Sequence, residues 1–138
     1  MSCILRVYGN SLDIEMLLDQ LELEPYQWWE KDELRVPNNP SFGVRNYSGA
    51  NFIASKAKMH SFDTQVEETL VFLERNKVDI LKITSFLGVE GADLDFSIAL
   101  GDTYTHTDYL SPKFLCAVAK FGLGVSLSHY PTTEKDES

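Results

Sequence analysis

The chain has 138 residues, and 21 Asp and Glu against 12 Lys and Arg give it a formal net charge of −9. One core suffices at this length, burying roughly two-thirds of the unfolded surface, and 43% hydrophobic, 12% aromatic and 24% charged residues exclude a disordered or fibrous chain. A negative field repels phosphate backbones, which argues against nucleic acid, and apolar runs such as Phe114 to Ala119 are far too short to span a bilayer, so a basic protein is the partner such a charge would attract.

Cys3, Leu5 and Val7 alternate with Ile4, Arg6 and Tyr8, the period of a strand, which ends at the turn residues Gly9 and Asn10. The opening MSCILRVYG enters this strand directly, without the basic and apolar regions of a signal peptide, and a cytoplasmic location is expected. A helix follows, capped by Ser11 or Asp13, with Ile14, Leu17, Leu18 and Leu21 as its inner stripe. Its other face carries Asp13, Glu15, Asp19, Glu22 and Glu24 without a Lys or Arg among them. Such a one-sign face gains nothing from pairs one turn apart, and it is the candidate partner-binding surface. Pro25 closes the helix. Trp28 and Trp29 are adjacent, so in an extended segment one ring packs on the core while the other stays at an edge or exposed. With Tyr26 they are the candidate binding anchors. Pro37 and Pro40 mark a surface loop, and Phe42 and Val44 are expected to pair with Asn51 to Ala57 as a hairpin turning at Ser48 and Gly49.

Ser61 or Asp63 caps the next helix, with Val66, Leu70 and Leu73 inward, interrupted at Asn76 and Lys77. A further helical segment from Val78 to Leu87 has Ile80, Leu81 and Thr84 on its inner side and stops at Gly88. Leu94, Phe96, Ile98 and Leu100 alternate with Asp95, Ser97 and Ala99 in the clearest strand of the chain. Ser111 and Pro112 then start a helix whose stripe is Phe114, Leu115, Val118 and Phe121, capped by Gly122. Leu123, Val125 and Leu127 alternate with Ser126 and Ser128 in a last strand, ended by Pro131. Residues 1–131 form one domain and residues 132–138 a polar, acidic tail. Cys3 and Cys116 both fall in apolar patterns and are expected as buried, reduced thiols.

No constellation for catalysis emerges. Asp102, His106 and Asp108 could hold a divalent ion, but alternate positions in a loop fix no geometry and supply no further ligand. His60 and His129 have no sequence-local nucleophile and are expected to be solvated or packed. Asp93 and Asp95 share a strand face, the wet one. Gly122 and Gly124 lack the third glycine of a dinucleotide fingerprint. A non-enzymatic protein without cofactor or metal is the expectation.

The opening strand ending in Tyr8 and Gly9, the LELEP segment from Leu21 to Pro25, a Trp followed by the charged Lys31, Asp32 and Glu33, and SPKFLCAVAKFGLGVSLSHYP from Ser111 to Pro131 together resemble a bacterial family, domain of unknown function 4279. The likeness runs from Cys3 to Pro131 and is most specific at Ser111, Pro112, Phe114, Leu115, Gly122 and Leu123, while Phe52 stands where Trp is expected. It implies a small α+β protein and brings no catalytic residues with it.

The element order points to an α+β two-layer sandwich, a mostly antiparallel or mixed sheet of about five strands with helices on one face. The expected function is a cytoplasmic protein-binding module, of the kind that acts as an immunity or antidote protein against a basic toxin or nuclease. The alternative is a small-molecule-binding or sensing domain with an aromatic pocket near Trp28, Tyr47 and Phe52.

Overall fold

The computed structural model describes residues 2–101 and 105–131. Five strands, β1 (Cys3–Gly9), β2 (Gln27–Trp29), β3 (Ser48–Ser55), β4 (Gly91–Ala99) and β5 (Gly124–Tyr130), form one sheet in the order β2-β3-β1-β4-β5. β1 pairs antiparallel with both β3 and β4, β2 pairs antiparallel with β3, and β5 lies parallel to β4. The helices are α1 (Ile14–Asp19), α2 (Phe62–Arg75), α3 (Lys77–Ser85) and α4 (Pro112–Lys120). The expected α+β sandwich with a mixed sheet is what forms.

Alternation decides which face is covered. Cys3, Leu5 and Val7 of β1 join Ala50, Phe52 and Ala54 of β3 and Ala92, Leu94, Phe96 and Ile98 of β4 in one core. All four helices contribute to it, through Ile14, Leu17, Phe62, Leu73, Ile80, Ile83, Phe114 and Val118, so they lie on the same face of the sheet. The rings of Phe62, Phe96 and Phe114 meet edge to face at 5.4 and 5.7 Å, tying α2 and α4 to β4. On the other face Arg6 Nε donates to Asp95 Oδ2 at 3.0 Å and Tyr8 OH to Asp93 Oδ2 at 3.0 Å.

The helix-to-strand unit at the C-terminal side follows the sequence closely. Ser111 Oγ accepts from the Phe114 N–H at 3.1 Å and Pro112 opens α4. Gly122, at φ 72°, supplies the left-handed residue that stops the helix, and the Leu123 N–H donates back to Val118 O at 2.9 Å.

Four expectations are corrected. The hairpin turning at Ser48 and Gly49 does not form: both residues already belong to β3, whose neighbours are β1 and β2, and Val44 instead makes an isolated bridge with Leu34. Gly49 is there because a Cβ would lie 2.6 Å from Val7 O and 2.8 Å from the Trp29 ring. In α3 the inner positions are Asp79, Ile80 and Ile83, leaving Leu81 exposed. In α4 Leu115 is exposed, and Cys116 with it, because position 116 sits roughly 200° round the helix from buried Phe114. Finally, α2 buries the row Phe62, Gln65, Thr69 and Leu73. Gln65 belongs inside because its Nε2 donates to Lys58 O at 3.0 Å and Ser97 O at 3.1 Å, fastening the helix to β4.

Candidate functional site

The acidic segment is built differently from a continuous helix. Asp13 is the N-cap of α1, its carboxylate accepting from the Met16 N–H at 3.1 Å, and the helix stops after six residues. The chain beyond it is held by α3: the buried Asp79 carboxylate accepts from the Glu22 N–H at 3.0 Å and the Leu23 N–H at 2.9 Å, and Lys82 Nζ donates to Gln20 O at 3.1 Å. Glu22 and Glu24 therefore leave the helix face assigned to them and stand on this tethered loop. All five acids are exposed.

They meet three surroundings, Glu24 two of them. Asp13 serves the helix. Glu22 and Glu24 line a groove that also contains Arg75 and Lys82 from α2 and α3, so opposite charge comes from elsewhere in the fold. Glu24 also lines, with Glu15 and Asp19, a second groove of about 370 Å³ that includes Leu18, Leu21 and Trp28. Trp28 reaches it because it pairs with Ala50, whose side is the helix layer, at the open edge of the sheet. Trp28 is 44% exposed.

Trp29 points the other way, opposite Gly49, and is 7% exposed. The Arg45 guanidinium lies over its ring at 4.3 Å, and Tyr47 packs on its edge with ring centroids 6.2 Å apart. Trp29 is thus part of the fold and cannot serve as the anchor proposed for it. Tyr26 is exposed, its N–H donating to Asn51 O at 2.7 Å in line with the β2 ladder.

Glu30 and Glu33, which are not among the acidic candidates named from the sequence, extend the negative patch. The Glu30 carboxyl is pushed up from its ordinary value chiefly by the nearby charge of Glu15, then by desolvation and a hydrogen bond to Glu15, with Glu33 and Asp13 adding to it. Like charges are crowded here, and the crowding marks a place that a cation would relieve.

The remaining candidates separate as well. Asp93 and Asp95 do share a face, but Asp95 is engaged by Arg6 and by Ser128 Oγ at 2.9 Å, and Asp93 by Tyr8. The Asp93 hydrogen bond pushes the Tyr8 phenol up from its ordinary value. Asp102 lies outside the described residues, as does the tail, residues 132–138. His106 and Asp108 do meet, and His129, far from them along the chain, completes a cluster. Of the aromatic residues named for a ligand pocket, Phe52 is fully buried in the core and Tyr47 packs on Tyr8 and Trp29, so they do not surround one cavity with Trp28.

A family model described as a domain of unknown function (DUF4279) matches residues 1–132. No curated protein and no solved structure matches the chain. Among the described residues no helix is long and apolar enough to cross a membrane.

Proposed function

Since the chain belongs to the domain of unknown function 4279 family, we propose its role from its own surface: a non-enzymatic module that binds a basic segment of a partner protein, as an immunity or antidote protein does. One observation carries this reading, the exposed Trp28 ring set among the carboxylates of Glu15, Asp19 and Glu24 in one groove. A Lys or Arg side chain laid there would put its cation over an indole face, worth about 0.5–2 kcal/mol depending on desolvation. Its stem would lie on Leu18 and Leu21, and the carboxylates would take its N–H donors. A groove of this size holds one or two side chains, so Tyr26 and the acids at Glu30 and Glu33 would supply further contact around it. The net charge of −9 would speed encounter with a basic partner.

Titration of the protein with a short Arg-rich peptide at low salt, followed by tryptophan fluorescence, tests the groove directly. Binding lost in Trp28→Ala and in the triple variant Glu15→Lys, Asp19→Lys, Glu24→Lys, with circular dichroism unchanged, supports the reading. Binding equal in all three proteins rejects it. The groove also falls within the size of small-ligand sites, roughly 300–1,000 Å³, which favours one second reading, a small organic cation as ligand. A free quaternary ammonium compound that binds with the same Trp28 dependence, while the peptide does not, would select that alternative.

A further inference from the structure

His106, Asp108 and His129 come together where the loop leading to α4 passes the end of β5. Asp108 Oδ2 lies 3.0 Å from His106 Nε2 and 2.6 Å from His129 Nε2, and the two imidazole rings stand edge to face with centroids 5.2 Å apart. One ligand atom from each residue lies within 4.8 Å of the other two. The Asp108 side chain is 9% exposed, so its carboxylate has exchanged water for these two imidazoles.

We infer that these three residues form a binding site for a divalent transition-metal ion of the zinc class. Two ligands of a tetrahedral zinc, each about 2.0–2.2 Å from it, stand roughly 3.3–3.6 Å apart. The two Asp108 contacts, at 3.0 and 2.6 Å, are somewhat shorter than that, and an ion seated among the three groups would part them by small rotations of the exposed imidazoles. Two nitrogen donors and one carboxylate suit zinc and its neighbours, whereas magnesium and calcium require oxygen ligands. Backbone order supports the arrangement. His129 is fixed in the ladder opposite Ile98, and the Leu100 N–H donates to Tyr130 O at 2.9 Å. His106 and Asp108 also line a groove of about 560 Å³ with His60, Asp63, Thr64 and Tyr109. Three protein ligands leave a coordination position for water or an incoming donor from that groove, the composition of an open rather than a closed zinc site. The site is remote in sequence from the Trp28 groove and stands or falls independently of the peptide-binding proposal.

The test uses the full chain carrying Cys116→Ser, which removes the one exposed thiol among the described residues that could itself take up zinc. Isothermal titration with zinc chloride at neutral pH should give one ion per chain, undisturbed by excess magnesium. His106→Gln and His129→Gln, both at exposed positions, should each weaken binding by at least about tenfold, and Asp108→Asn likewise. Cobalt substitution should give the intense visible bands of a four-coordinate ion, lost in either histidine variant. Absence of zinc binding to the folded protein, or binding that keeps its affinity and stoichiometry in both His106→Gln and His129→Gln, would overturn the inference.

Discussion

Trp28 and Trp29 differ only by one place along an extended strand, and that offset turns one ring toward α1 and solvent and the other beneath Arg45 and against Gly49. The alternation was legible in the residues; which of the two rings would be buried was not, because it depends on a cation and a tyrosine delivered by the loop before β3. Gly49 illustrates a related misreading. Ser-Gly looks like a turn, yet the glycine is in mid-sheet to leave room for an indole. Gly49→Ala should therefore destabilise by about 1–3 kcal/mol through overpacking, read as a lower urea midpoint with an unchanged slope. The cysteines allow a sharper comparison. Burial pushes the Cys3 thiol up to about 12, while Cys116 stands on an exposed helix face. At pH 8 a thiol-specific reagent should modify one cysteine of the native protein quickly and the second only after unfolding. Modification of both at one rate would contradict the burial of Cys3. Because the folded-state value lies above the ordinary 9.0, the contribution of the neutral thiol to stability is complete below pH 9 and is lost between 9 and about 12.

At the scale of elements, capping signals and apolar spacing carried most of the information. Ser111-Pro112 and Gly122 bound α4 as their chemistry requires, and Phe114 packs from its first turn against Phe96. Phe114→Ala should cost about 3–5 kcal/mol, whereas Leu115→Ala, beside it but facing solvent, should stay within roughly 0.5 kcal/mol; chemical denaturation of the pair distinguishes them. The burial of Gln65 was illegible, since a polar side chain belongs inside only when distant carbonyls await it, here those of Lys58 and Ser97. The end of α1 was illegible for the same kind of reason. Leu21 continues the helical stripe, but Asp79, far along the chain, takes the N–H groups of Glu22 and Glu24's neighbour Leu23 and draws the segment off axis. Asp79→Ala should cost about 1–3 kcal/mol by leaving those two N–H groups without their acceptor. It should also weaken peptide binding, because Glu24 would lose its fixed position beside Trp28.

Across the whole molecule, long-range pairing decides what a sequence hides. His129 joins His106 and Asp108 only because β5 runs parallel to β4, a topology that brings a strand's end back beside the loop that left its neighbour. The acidic groove likewise unites Glu15 and Asp19 of α1 with Trp28 at the sheet edge. A one-sign surface of this kind has a signature of its own: affinity for an Arg-rich peptide should fall steeply from low to physiological salt, and a salt-independent affinity would assign binding to apolar contact instead. The sheet order has a last consequence, for biosynthesis. β1 leaves the ribosome before the other four strands, yet it occupies the middle of the sheet, between β3 and β4. Cys3, Leu5 and Val7 thus remain half-covered until Leu94 and Phe96 have been translated. The nascent chain therefore carries an unfinished interior until β4 has emerged, and the central pairing of the sheet closes only after α2 and α3 have been made.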